Sequence, residues 1–108
     1  MKKALNLLGL MVRAGKVVTG EDLIIKSIRE DKLNLLLIAI DCGKNTTKKL
    51  CDKAEYYNVK VLTCFTTEEI SNAIGKNNRV AIGITDIGFS RKLVEIVNQG
   101  GFIDDGKD

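Results

Sequence analysis

Residues 35–40 read LLLIAI, six apolar side chains with no polar position among them. A strand with one wet face alternates apolar and polar residues. An unbroken run of this length instead suits a strand covered by helices on both faces. The flanking segments have the longer period. Residues 21–29 bring Leu23, Ile24, Ser27 and Ile28 close together on a helix, and TTKKLCDKAEYY at 46–57 reads as a second helix that Asn45 or Thr46 can cap and Asn58 can close in left-handed geometry.

The pattern continues in both directions. Residues 2–13 place Leu5, Leu8 and Val12 on one stripe with Leu7 and Met11 beside it, Gly15 stops that helix, and the short β-branched KVV at 16–18 follows. Downstream, KVLTCF at 60–65 is a strand. Thr66 or Thr67 caps the helix EEISNAI at 68–74, whose first-turn acids suit the helix dipole and whose end is Gly75. RVAIGIT at 79–85 is the last strand, and GFSRKLVEIVNQ at 88–99 is a helix that Asp86 can cap and Gly100 and Gly101 end. Strands alternating with helices imply right-handed crossovers and a three-layer α/β/α sandwich around a central mixed four-stranded sheet.

The chain has 108 residues, which suits one domain over 1–103 followed by a frayed acidic tail, DDGKD, at 104–108. The formal charge is +3, and removing the tail's −2 leaves a mildly basic +5 for the domain. That favours a nucleic-acid partner electrostatically without requiring one. Cys42, Cys51 and Cys64 lack CxxC spacing, and scattered thiols fit packing residues in a reducing cytoplasm. The apolar start MKKALNLLGLMV is broken by Asn6 and has no cleavage pattern, and no run is long enough to span a membrane.

Several chemistries are excluded by residue type. There is no histidine, so Ser/His and Cys/His pairs are impossible and a zinc site would need an unusual ligand set. GKNT at 43–46 has Ile38 and Asn45 where a phosphate loop requires Gly and Ser or Thr, and GITDIG at 83–88 lacks the spacing of a dinucleotide turn. One arrangement survives as an alternative. Asp41 and Thr85 each follow a strand, as in phospho-acceptor receiver domains, with Glu21 and Asp22 available as acids; both also suit turns and caps. No enzyme, cofactor, metal or small-molecule substrate is expected.

Two glycine bends carry the binding chemistry. VVTGEDLIIKSI at 17–28 turns from strand to helix at Gly20, with the carboxylates of Glu21 and Asp22 placed to accept the N1–H and N2–H donors of a guanine. Lys26 lies on the face of Asp22, either to meet a phosphate or base carbonyl or to form an i,i+4 ion pair with it. The loop GKNNR at 75–79 offers Lys76 and Arg79 for phosphates and Asn77 and Asn78 for base edges. Lys48, Lys49 and Lys53 fit a solvated helix face, while Lys2, Lys3, Arg13 and Lys16 extend the basic field. Aromatic residues are only 5% of the chain, which argues against a stacking platform for single strands and for structured RNA read by shape.

The series RAGKVVTGEDLIIKSI (13–28), IAIDCGKNTTKKL (38–50) and AIGKNNRVAIGITDIGFSRKLVEI (73–96) resembles the ribosomal L-seven-Ae/L-thirty-e superfamily, and its small bacterial members most. The resemblance implies an α/β/α sandwich that grips a kink-turn, in which tandem sheared G·A pairs follow a short bulge. The family's G-x-N-E-x-x-K signature falls on Gly20, Asp22, Leu23 and Lys26, so two of its four positions match. Its second contact loop falls on Gly75 to Arg79, with the polar Asn77 and Asn78 where several members carry apolar side chains. The implied partner is structured RNA, a kink-turn and possibly ribosomal RNA, bound in the cytoplasm. The RNA-facing set is Lys16, Gly20, Glu21, Asp22, Lys26, Asp41, Gly75, Lys76, Asn77, Asn78 and Arg79. A protein-interaction module built on the same fold is the alternative of a different class.

Overall fold

The computed structural model describes residues 2–101. Helix α1 (Lys2–Arg13) leads to strand β1 (Val17–Thr19), α2 (Glu21–Arg29), β2 (Leu35–Ile38), α3 (Lys44–Tyr56), β3 (Lys60–Thr63), α4 (Thr67–Ile74), β4 (Ala81–Ile84) and α5 (Ile87–Ile96), and a short π-turn (Val97–Gly101) ends it. The acidic tail at 104–108 lies outside the described residues.

The run at 35–40 splits as a doubly covered strand must. Leu35, Leu37 and Ala39 pack with Ala4, Leu8 and Met11 of α1, Ile70 and Ile74 of α4, and Leu93 of α5. Leu36 and Ile38 pack on the other side with Ile24, Ile25 and Ile28 of α2 and Leu50 and Ala54 of α3. Both faces of β2 are therefore dry, and each fully buried leucine contributes about 1.5–3 kcal/mol. Three helices cover one face of the sheet and two the other. Where β2 lies against β4, Leu33 closes over Gly83, and a Cβ there would stand 2.3 Å from Leu33 Cδ1.

The sheet has the order β1-β4-β2-β3. Among the described residues the one parallel pairing is β2 with β3, joined through α3, while β4 lies between β1 and β2 and runs antiparallel to both. The mixed sheet has a consequence for function. The C-terminal ends of β1, β2 and β3 and the N-terminal end of β4 meet at one rim, and the loops carrying Gly20, Asp41, Thr66 and residues 75–79 all emerge there.

Local chemistry sets most helix ends. Thr66 and Glu69 form a reciprocal capping box on α4, and Asp86 Oδ2 accepts from Phe89 N–H at 2.8 Å on α5. Asn58 takes φ 60°, closing α3 in left-handed geometry. The start of α3 differs from the sequence reading. Neither Asn45 nor Thr46 caps it; the helix begins at Lys44 behind Gly43, which has no side chain to offer, and Thr47 Oγ1 instead donates to the Cys42 carbonyl at 3.5 Å. Strands 2, 3 and 4 are shorter than their apolar runs, and α5 ends at Ile96 because the chain widens into the π-turn before Gly100 is reached.

Candidate nucleic-acid interface

Gly20 enters α2 at φ 92° and ψ 131°, a backbone state that side chains resist, and no side chain caps the helix. The first N–H groups of α2 are thus open at the rim, with Glu21 and Asp22 in the first turn. Opposite them, α4 ends on Gly75 in left-handed geometry, φ 72°. The following loop is held by its backbone: Lys76 N–H donates to the Ser71 carbonyl at 2.9 Å, and Asn78 also has positive φ, 52°.

The two bends meet through the far end of the loop. Gly20, Glu21, Thr46, Asn78 and Arg79 line one cavity of about 140 Å³. Gly75 does not line it. A broader depression of about 560 Å³ is bordered by Asp41, Thr67, Asn72, Asn77 and Asn78. Asn78 belongs to both, so the rim is one continuous surface from α2 to α4. The guanidinium Nε of Arg79 is buried without an acceptor.

The charged side chains are partnered differently from the sequence reading. Lys26 does not pair with Asp22; its ammonium lies 3.6 Å from Glu30 on the following turn. Glu30 also holds Lys32 at 3.2 Å, and the Lys32 hydrogen bond, ahead of the Lys26 charge, keeps its carboxyl below the ordinary range. Asp22 is exposed and forms no ion pair among the described residues, so its acceptors stay open. Glu21 points across to α3 and meets Lys49 at 2.7 Å. The Glu21 hydrogen bond and charge make Lys49 hold its proton more tightly than usual.

Asp41 is an internal staple. Its Oδ1 accepts from Thr67 N–H at 2.8 Å and Thr67 Oγ1–H at 2.7 Å, tying the end of β2 to the start of α4, and these bonds hold its carboxyl below the usual range. The phospho-acceptor arrangement is ruled out by topology. Thr85 follows the C-terminal end of β4, which runs antiparallel to β2, so Asp41 and Thr85 stand at opposite ends of the sheet. Lys16 also sits away from the rim, before β1 at the end opposite Gly20, where its carbonyl accepts from Thr85 N–H at 2.9 Å. Lys26 lies outside both rim cavities, in a depression on the outer side of α2 that it shares with Val18, Leu23, Ser27 and, from the opposite end of the sheet, Asn34 and Thr85.

Some rim residues have no local signal in the chain. Lys49 looks like any solvated lysine until α3 packs beside α2. Ile40, last in the opening apolar run, lies beyond the end of β2 and is 62% exposed beside Asp41. Ser71 acts only through the fold. Among the described residues no group of three His, Cys, Asp or Glu side chains is placed to hold a metal, and no helix is long and apolar enough to cross a membrane.

Residues 2–94 match the model of the ribosomal protein L7Ae/L30e/S12e/Gadd45 family. The chain is 45% identical over 96 residues to the RNA-binding protein YlxQ of Enterococcus faecium, covering 89% of this chain and 92% of that protein. It is 44% identical over 92 residues to the YlxQ of Bacillus subtilis strain 168, covering 85% and 92%. A Bacillus halodurans protein of unknown function superposes with a TM-score of 0.85 at 40% identity, covering 89% of this chain and 97% of that one. The 15.5 kD RNA-binding protein of Giardia lamblia shares the fold at a TM-score of 0.74 and 18% identity, covering 88% and 82%.

Proposed function

The chain belongs to the ribosomal protein L7Ae/L30e/S12e/Gadd45 family, a non-enzymatic one, and on that premise we propose that residues 1–103 form a single cytoplasmic domain that binds kink-turn-like structured RNA. The RNA is ribosomal or otherwise linked to translation. The observation that carries the reading is the shared cavity: Gly20 and Glu21 from the first bend and Asn78 and Arg79 from the second line the same 140 Å³ space. Acceptors and cations from separate parts of the chain can thus touch one bent strand.

The geometry supports a division of labour. Asp22, exposed and without an ion pair among the described residues, accepts from guanine donors at a sheared G·A pair beside the open N–H groups of α2. Lys76 and Arg79 meet backbone phosphates, and Asn77 and Asn78 face the bulged nucleotide with amide groups in place of an apolar wedge. Lys26 reaches a phosphate on the outer side of α2 by leaving Glu30, an exposed pair that adds little to stability. The YlxQ relatives, named as RNA-binding proteins and covering most of this chain, support the same partner class.

The test is a band shift with a kink-turn stem against a stem whose G·A pairs are replaced by Watson–Crick pairs. Tighter binding to the kinked RNA is the expected result. Equal binding to both would overturn the reading in favour of non-specific charge or a protein partner.

A further inference from the structure

Lys48 and Lys49 are neighbours on α3 and look alike in the chain, but the fold gives them different partners. Lys48 bonds Asp52 on its own helix at 3.1 Å with 77% of its side chain exposed. Lys49 crosses to another helix and meets Glu21 at 2.7 Å. The Glu21 side chain, 33% exposed, belongs to the wall of the cavity that also takes Arg79. Exposed ion pairs of this kind add little to folding. This one instead fixes the direction of a lysine that would otherwise be free to rotate.

Resting on the RNA-binding reading above, we infer that Lys49 is a further RNA-contacting residue, positioned by Glu21 beside the cavity so that its ammonium meets a backbone phosphate next to the one bound by Arg79. An ammonium has three donors, and Glu21 engages one of its edges. The Lys49 side chain is 56% exposed, so its remaining donors are open to solvent next to a residue of the cavity wall. The charges of Glu21 and Asp22 both bear on Lys49 and offset those of Lys49 and Arg79, so the contact rests on the direction in which Glu21 holds the lysine and not on a surplus of positive charge. The interface therefore runs onto the first turns of α3, where Thr46 and Leu50 already border the same cavity. Lys48 serves as the control because its partner, Asp52, lies on its own helix and outside the cavity lining.

The experiment is the salt dependence of affinity for the kink-turn stem, measured for the parent chain, Lys49→Ala, Lys49→Arg and Lys48→Ala. Lys49→Ala is expected to reduce the magnitude of the logarithmic salt slope by about 1, with Lys49→Arg restoring it and Lys48→Ala changing it less. A purely structural Lys49 would weaken binding without changing the slope. An unchanged slope for Lys49→Ala, or an equal loss for Lys48→Ala, overturns the inference while the functional reading stands. A parent that does not distinguish the kinked stem from its Watson–Crick control removes the functional reading and this inference with it.

Discussion

Ser71, buried in α4, holds both backbone groups of Arg79: its Oγ accepts from Arg79 N–H at 2.9 Å and donates to the Arg79 carbonyl at 3.4 Å. One hydroxyl thereby does what a turn of sheet would do, fixing the exit of the 75–79 loop before β4 begins. Ser71→Ala leaves the Arg79 N–H without that partner and is expected to cost about 1–3 kcal/mol in urea denaturation. The same variant loosens the loop, so its affinity for kink-turn RNA falls as well. An unchanged denaturation midpoint would show that water replaces the hydroxyl without loss.

Arg79 and Lys16 test the polarity of the molecule. Both are basic, but they flank opposite ends of the sheet, separated by the length of strands that each rise about 3.3 Å per residue. If Lys26, Lys76 and Arg79 each neutralise a phosphate, they contribute about −2 to −3 to the logarithmic salt slope of RNA affinity, and the Lys49 contact adds to that. Arg79→Ala should lower its magnitude by about 1, and Lys16→Ala by less. Filter binding over a salt series checks both, and equal losses would move the interface away from the rim.

The fold was legible because its decisive signals are local. LLLIAI at 35–40 demands cover on both faces, Thr66 and Asp86 carry their capping partners three residues downstream, and Gly75 ends a helix by its own geometry. The antiparallel placement of β4 was not legible, since strand direction depends on which edges pair and not on the residues within the strand. The same distinction divides the site. Gly20, Asn78 and Arg79 come together because four strand ends share a rim, a relation of topology. The i,i+4 spacing of Asp22 and Lys26 permitted a pair that did not form, because Glu30, one turn further along, competes for the same lysine. Lys49 gave no signal because its partner is 28 positions away on another helix.

Cys64 gives a prediction in the alkaline range. It is fully buried beside Glu69, and burial first, then that charge, push its thiol up to about 12 from an ordinary 9.0. The folded state therefore keeps a proton that the unfolded chain releases, so the stability present below pH 9.0 is lost as pH rises toward about 12. The slope attributable to one such group is about 1.4 kcal/mol per pH unit. Cys64→Val is expected to flatten the alkaline limb of stability against pH by that amount. In the native protein at pH 8, iodoacetamide should modify Cys42 and Cys51, which are partly exposed, well before Cys64. Equal labelling of all three thiols would show that the sheet opens at this position.

On the proposed reading, Leu23 decides how strictly the rim reads its RNA. It stands on the exposed face of α2 beside Asp22, 57% exposed, at the position where the family signature carries glutamate. An apolar side chain there offers no acceptor to a guanine edge, which on that reading leaves discrimination to Asp22. Leu23→Glu touches no core contact and adds a carboxylate in the first turn of a helix whose N-terminus favours negative charge, so folding should be unaffected. The added acceptor acts only where guanine donors are presented at sheared pairs, and elsewhere it repels phosphate. Affinity for the Watson–Crick control stem should therefore fall while affinity for the kink-turn is held or rises. The ratio of the two dissociation constants is expected to widen by about tenfold, within the 1–3 kcal/mol that a good bidentate base contact supplies. Competition binding with both stems in one tube measures that ratio directly. A ratio that does not move would place the guanine edge out of reach of this helix face, and the readout would then belong to the asparagines of the opposite loop.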